Sequence, residues 1–289
     1  MLVQKNHFIL LIIISFLFYS CWKEETVTIP DNQPPIINNV PAIKIENYVN
    51  RIFIDLLGRE PLNPEMAAEV AALREADLST EARETLIVKL QSDTDFIEGD
   101  TSYQQAYYQH LYDLAKIRTL EGASEAEIGS FFAGIELVED SIRLLKIYSS
   151  RSELQSGAIS IEDMFGRMIY NLVYDEINMN TTNFVNASFD NLLWRFPTQT
   201  EFQAGFNMVE FDVPETFLGE TGTNRQDYVD IFINSREMFE GLIIWVYQQT
   251  LQRRPTTEET FVLLEDFYTK RDIREVQKVV MMTDEYANF

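Results

Sequence analysis

The chain has 289 residues, of which 46 are acidic and 23 basic, so its formal net charge at pH 7 is −23. Such an acidic chain repels phosphate backbones, which argues against nucleic acid as a partner. The chain has a single cysteine, so an intramolecular disulfide is excluded.

Residues 1–20 have the pattern of a sorting signal. Lys5 supplies a positive charge, and an apolar run extends from Phe8 to Tyr19. About 12 residues are too few to cross a bilayer, which takes about 20, so the run predicts a signal peptide. Cys21, the only cysteine, follows directly. This arrangement resembles bacterial lipoprotein signal peptides, and the resemblance implies that Cys21 is lipidated. An ordinary secretory signal with a chance cysteine is the alternative.

The residues behind Cys21 suggest where the protein is displayed. Lys23, Glu24 and Glu25 resemble the surface-export signal of Bacteroidetes lipoproteins. The resemblance implies the outer leaflet of the outer membrane, and retention on its periplasmic side is the alternative. The proline-rich remainder of residues 21–45 is interpreted as a tether that reaches up to about 70 Å at ~3.1 Å per residue.

One short phrase occurs three times. Each copy has Leu, Arg and Pro at alternate positions, an apolar residue ten before the Arg, an aromatic one six before it, and Glu six after it. The Arg, Pro and Glu residues are Arg59, Pro61 and Glu65, then Arg195, Pro197 and Glu201, then Arg253, Pro255 and Glu259. Self-similarity at several fixed offsets indicates a repeated unit.

The phrase predicts a helix, a proline turn and a second helix. Apolar residues four apart lie on one helix face, and the proline ends that helix. Thr198 and Thr256 precede Glu201 and Glu259 by three residues, which fits capping boxes. The first copy has no Thr there, so its cap is Asn63 or absent. Each Arg is expected to contact the last carbonyls of its helix and to pair with the following Glu; joint binding of an anion by the three Arg residues is the alternative.

These features predict an all-α fold in which helix–Pro turn–helix units pack as a solenoid-like or two-lobed domain. Long amphipathic stretches such as 125–148 support it. The predicted divisions are helical repeat 1, central helices, helical repeat 2 and helical repeat 3, over residues 46–97, 98–182, 183–240 and 241–289. The loop 212–224 is an insertion in the second copy, and loops of this length are often functional or disordered.

Two of the copies resemble known modules. The C-terminal pair is similar to a small helical module of uncharacterised bacterial surface proteins and of phycobilisome linker polypeptides. The matching residues are Tyr228, Phe232, Ser235, Glu237, Phe239, Tyr247, Leu251, Arg253, Pro255 and Glu259. The first copy, through residues 54–59, resembles the helical opening domain of planctomycete cytochrome-associated proteins. These resemblances imply the fold and no functional residue.

Candidate chemistry is sparse. Without the signal, His110 is the only histidine, which leaves no zinc site of the His/Cys type and no evident catalytic constellation. His110 lies in a tyrosine-rich helix. Tyr103, Tyr107 and Tyr108, with Trp194, are possible ligand-binding residues that would stack on a sugar, and packing of the helix is the alternative. Acidic clusters at 93–100 and 175–180 could hold calcium, but neither has EF-hand spacing. We therefore expect no cofactor and no metal.

Three functions remain. The leading hypothesis is a non-enzymatic outer-membrane lipoprotein that acts as a helical protein-binding or scaffold subunit of a cell-envelope complex. Its partners would be the membrane, through the N-terminal lipid, and another envelope protein. A glycan-binding surface lipoprotein is the second hypothesis, and an unrecognised hydrolase is the third.

Overall fold

The computed structural model describes residues 40–97 and 101–289. Fifteen α-helices and almost no strand are found in this part of the chain, which confirms the all-α prediction. The sorting signal, Cys21 and the predicted export signal Lys23–Glu25 lie outside the described residues.

The helices follow one another with short connections. Before the predicted second copy they are α1 Ala42–Leu57, α2 Asn63–Glu75, α3 Thr80–Ser92, α4 Tyr103–Thr119, α5 Glu125–Ser130, α6 Val138–Ser156, α7 Ile161–Ile169 and α8 Leu172–Asn178. After them come α9 Thr181–Ser188, α10 Gln199–Phe211, α11 Arg225–Asn234, α12 Arg236–Leu251, α13 Thr257–Lys270, α14 Ile273–Met281 and α15 Asp284–Ala287.

Local sequence explains how most of these helices begin. Thr198 and Thr256 cap α10 and α13, and each forms the predicted capping box with the Glu three residues on. Asn63 does not cap α2, contrary to one expectation. It is the first helical residue, and the Leu62 N–H instead donates to the Glu65 carboxylate at 2.6 Å. In this copy, the glutamate of the capping box therefore makes its usual hydrogen bond, although no side-chain hydroxyl caps the helix.

The stretch 125–148 is not one helix. It forms α5, a 3₁₀ turn at Phe131–Gly134, an extended link at Leu137, and then the start of α6. Gly129 and Gly134 lie in and beside this break, and glycine weakens a helix relative to alanine because it loses more backbone entropy. Apolar residues continue at helical spacing across the break, so the sequence pattern alone did not reveal that α5 and α6 are separate helices.

The segment predicted as an inserted loop contains a short hairpin. Strand β1, Glu215–Phe217, pairs antiparallel with β2, Glu220–Gly222. Leu218 and Gly219, between the strands, both have positive φ, 48° and 91°, as the turns that suit a two-residue hairpin require. The buried Phe217 ring stacks on Tyr228 at 4.6 Å between centroids, so the hairpin is packed against α11.

Residues 40–289 form one compact unit rather than two lobes. Its first and last helices are in contact: the Tyr286 hydroxyl donates to Asp55 at 2.8 Å, and Arg51 donates to the Tyr286 carbonyl at 2.9 Å. Arg51 also donates to the Thr250 carbonyl at the end of α12. The first predicted copy thus packs on the third.

Helix α12 has more buried residues than any other helix in the described part of the chain. It contributes nine buried residues, and it crosses close to a π-helical segment, Phe189–Leu193, that continues α9. At the crossing, a Cβ added to Gly241 would lie 1.9 Å from the Leu192 carbonyl oxygen. Only glycine allows the two backbones to approach this closely.

Candidate functional site

The three Arg residues of the repeated phrase form the same ion pair. Each guanidinium holds the carboxylate six residues later through two parallel hydrogen bonds, from Nη1 to Oε2 and from Nη2 to Oε1. The two distances are 2.8 and 2.9 Å for Arg59–Glu65, 2.9 and 2.7 Å for Arg195–Glu201, and 2.9 and 2.7 Å for Arg253–Glu259. This planar, bidentate geometry is the strong form of an Arg–carboxylate pair.

The backbone before each Arg explains its position. The preceding residue, Gly58, Trp194 or Gln252, has a left-handed conformation with φ of 70°, 58° or 55°, which ends the helix and turns the chain. Each guanidinium then lies over the aromatic ring six residues back, at 5.5, 4.9 and 5.1 Å from the centroids of Phe53, Phe189 and Tyr247. The fixed offsets of the phrase therefore correspond to fixed contacts.

The expected contact with the last helical carbonyls differs in detail. Each Arg Nη1 donates instead to the carbonyl of the next residue, at 2.9 Å for Glu60, 3.1 Å for Phe196 and 3.0 Å for Arg254. The left-handed residue turns the chain before the Arg, so the guanidinium reaches a carbonyl of the turn while it lies over an aromatic ring of the preceding helix.

Two of the pairs have a third member that the sequence did not reveal. Arg195 also binds Glu237, and Arg253 binds Glu285 with Nε–Oε1 and Nη2–Oε2 distances of 2.6 Å. Both acids lie in the first turn of a later helix, two residues after a capping Ser235 or Thr283. This Ser/Thr-x-Glu pattern was the available signal, but it lies 42 and 32 residues beyond each Arg.

The ion pairs hold their carboxylates ionised. The hydrogen bonds from Arg195 lower the pKa of Glu201 to about 2, and those from Arg253 lower the pKa of Glu259 to about 2. Burial acts to raise the pKa of Glu65, but the bonds from Arg59 and the Leu62 N–H outweigh it and lower that pKa. With their donors directed at these acids, the Arg residues serve the architecture, and the geometry gives no support to a shared anion site.

The possible sugar platform is not on the surface. Tyr103, Tyr107 and Tyr108 expose only 4%, 1% and 7% of their area. The Tyr107 hydroxyl donates to Gln277 at 2.7 Å inside the core. The fourth residue, Trp194, is half-buried with the Arg118 guanidinium 3.8 Å from its ring centroid. The tyrosines face neighbouring helices because α4 is packed on several sides, so they offer no stacking surface.

The remaining polar candidates serve structural contacts. His110 lies against Gly58, and burial lowers its pKa. Asp175 pairs with Arg225, and Asn180 caps α9. Within residues 40–97 and 101–289, no group of three or more His, Cys, Asp or Glu side chains is arranged to hold a metal ion. Glu98 and Asp100 of the other acidic cluster lie outside the described residues.

Helix α6 carries an exposed apolar row. Val138, Ile142 and Leu145 expose 75%, 46% and 56% of their area, and Leu137 just before the helix exposes 62%. The spacing of four and three residues places the first three on one side of the helix, whereas Leu144 and Ile147 are fully buried on the other. We call Val138, Ile142 and Leu145 the α6 row.

A groove lies beside this row, between α6 and α11, with α7 at its base. Its volume is about 460 Å³. The apolar lining residues are Ile142, Ile159, Gly166, Val229 and Ile233. A Cβ on Gly166 would lie 2.9 Å from the Ile233 Cδ1 atom, so this glycine permits α11 to pack closely against α7. We call this feature the α6–α11 groove.

Sequence analysis missed both features, because a helix with apolar residues on two faces is easily assigned entirely to the core.

Comparison with known proteins does not place the chain in a family. None of the helices in the described part of the chain is long and apolar enough to cross a membrane. No protein-family model, no curated protein and no solved structure matches the chain.

Proposed function

We propose that this protein is a non-enzymatic lipoprotein of the outer membrane, displayed on the cell surface, whose helical domain binds another protein of the cell envelope. The observation that carries the binding role is the α6 row. A contiguous exposed apolar patch on a soluble protein often marks an interaction site. The proposal of a lipid anchor rests on the resemblance of the N-terminus to lipoprotein signal peptides.

The internal contacts of the repeated phrase support a scaffold role for the rest of the domain. Arg195 and Arg253 each tie three helices together through two carboxylates. Such contacts fix helix positions without presenting a reactive group. A rigid helical frame suits a subunit that holds a binding surface in a defined orientation.

The binding role is tested by purification of the tagged protein from detergent-solubilised membranes of its native host. We expect one envelope protein to co-purify in constant ratio with the wild type, and to be lost when Ile142 and Leu145 are both replaced by Ser. Replacement of Phe261, which is 77% exposed on α13, by Ser is the matched control. A protein that purifies strictly alone contradicts the proposal.

The anchor is tested separately. One acyl chain gives marginal membrane binding, and two or more make it stable, so Cys21→Ala should leave an uncleaved precursor or release the protein from membranes. Ala at Lys23, Glu24 and Glu25 should keep the lipid but remove access to protease added to whole cells. Normal processing with full membrane retention of Cys21→Ala would refute the anchor, and equal protease access would refute surface display.

A further inference from the structure

We infer that the α6–α11 groove and the α6 row together bind one amphipathic helix of the partner protein, with a basic side chain of that helix beside Glu139 and Asp230. This inference rests on the proposed function and names the chemistry of the partner. It is argued from the shape, the apolar spacing and the charges of this surface.

The shape favours a side chain inserted from above. The groove has walls from two helices, α6 and α11, and an apolar base where Gly166 meets Ile233 and Val229. Ile142 belongs to both the groove wall and the α6 row. An apolar anchor that enters the groove therefore lies next to further exposed apolar surface.

The row favours a helix over a small molecule. A ligand that filled only the groove would leave Val138 and Leu145 in water, since neither lines it. The row runs from 138 to 145, about 10 Å at 1.5 Å per residue. This is the length over which a helix presents anchors at i, i+3 or i+4, and i+7. One helix along α6 covers both features.

The charged residues that line the groove indicate what the polar side of the bound helix must carry. Three of them are already paired within the chain. Arg143 is occupied by Asp140 at 2.9 Å and by the Tyr170 hydroxyl at 2.7 Å. Arg167 is paired with Glu153, and Asp163 accepts from the Ser160 N–H that it caps, at 2.9 Å.

Three lining charges remain. Glu139, Lys146 and Asp230 are exposed, and none forms an ion pair with another described residue, although the Gln226 side-chain amide donates to Asp230 at 2.9 Å. Glu139 and Lys146 are two turns apart on α6, and Asp230 is on the opposite wall. A bound helix with a basic residue near Glu139 and Asp230, and an acidic or neutral one near Lys146, would complement this arrangement.

The global charge argues against one competitor, a second copy of the chain. Residues 21–289 carry 22 basic and 46 acidic side chains, a formal net charge of −24. Two such domains repel each other at low and moderate ionic strength. The same field attracts a basic partner and raises its association rate.

The inference is tested by site-specific photo-crosslinking in the native host. Full-length protein carries p-benzoylphenylalanine at Ile142, and a matched protein carries it at Phe261 on α13. The expected result is a crosslink from position 142 alone, whose partner peptide, identified by mass spectrometry, is an amphipathic helical segment with Lys or Arg on its polar edge.

Charge substitution adds a second measurement. Glu139→Lys should lower the crosslink yield at 142 about two- to fivefold, because an exposed ion pair contributes up to about 1 kcal/mol. Glu75→Lys makes the same charge change at the exposed end of α2, and it should leave the yield unchanged. Equal effects of the two substitutions would overturn the placement of the basic residue.

The remaining outcomes separate this inference from the proposed function. A partner that co-purifies but crosslinks only at position 261 would contradict binding at the α6–α11 groove and would leave the proposed binding role intact. A crosslink from 142 to residues 22–39 of the same chain, or to a second copy, overturns the inferred occupant. A protein that neither crosslinks nor co-purifies overturns both proposals.

Discussion

Helices α12 and α6 are similar in length, 16 and 19 residues, but they use their apolar side chains differently. Helix α12 buries nine residues and approaches another backbone at Gly241. Helix α6 buries four residues and leaves the α6 row in water. Helix α12 leaves no large apolar side chain exposed. Helix α6 leaves three exposed on one side, and the binding proposal rests on that difference.

The two sides of α6 give the largest expected contrast. Ile147 is fully buried and Ile142 is 46% exposed. Ile147→Ala should lower the free energy of unfolding by about 2 to 5 kcal/mol, because it leaves a cavity in the core. Ile142→Ala should change it by about 0.5 kcal/mol or less. Equilibrium urea unfolding measures both. Equal losses would mean that the outer side of α6 is part of the core, and the contrast with α12 would fail.

The close crossing at α12 gives the second contrast. Gly241→Ala places a Cβ against the Leu192 carbonyl, so backbone must move, and overpacking of this kind costs about 1 to 3 kcal/mol or more. Gly134→Ala, in the 3₁₀ turn before α6, meets no atom within 4 Å and should shift stability by about 1 kcal/mol at most. Thermal and urea unfolding of the two variants compare them. A neutral Gly241→Ala would show that the backbones of α12 and residues 189–193 are not in close contact.

The Arg–Glu ion pairs of the repeated phrase should contribute less to the free energy of unfolding than the buried core does. Arg253→Met removes the donors that serve Glu259 and Glu285, and we expect a loss of about 1 to 3 kcal/mol. Lys should rescue only partly, since it lacks the planar fork. Arg236→Met, in an exposed pair with Glu265, is the control, with a loss under about 1 kcal/mol.

Added phosphate tests the alternative hypothesis that the same Arg residues bind an anion. It should leave the difference in melting temperature between wild type and Arg253→Met unchanged. A phosphate-dependent stabilisation lost only in Arg253→Met would restore the anion-site reading.

The Arg253–Glu259 ion pair predicts that the stability of the domain depends on pH. Arg253 lowers the pKa of Glu259 to about 2 from an ordinary 4.5, so its contribution is fully present above pH 4.5 and is lost as the pH falls towards 2. The stability difference between wild type and Arg253→Met should therefore narrow over that interval. Unfolding series from pH 6 to pH 2.5 measure it. A constant difference would show that the pair does not depend on the ionised Glu259.

Sequence reasoning succeeded where the determinants are local. The proline turn and the Arg–Glu partner six residues on follow from proline and capping preferences within a few positions. It missed Glu237 and Glu285, because their approach depends on how later helices fold back. It also placed Tyr103 and Tyr107 on a possible binding face, since periodicity shows that a face is amphipathic but not which neighbour covers it.

The surface of α6 was missed for a related reason. Val138, Ile142 and Leu145 have the same spacing as core residues, and Leu144 and Ile147 beside them are buried. A sequence cannot tell an apolar side that meets a neighbour within the chain from one that does not. Only the positions of α7 and α11 reveal which side remains uncovered.

The position of α12 has a consequence for how the domain comes apart. Its first turn supplies Glu237 to Arg195, and its last turn leads to Arg253. Helix α12 thus contributes to both Arg–Glu networks, so we expect the segments on either side of it to lose order together. Amide hydrogens in α10 and α13 should exchange through a shared opening event, with equal free energies. A force applied to the ends of this domain should therefore unfold it as one cooperative unit rather than one repeat at a time.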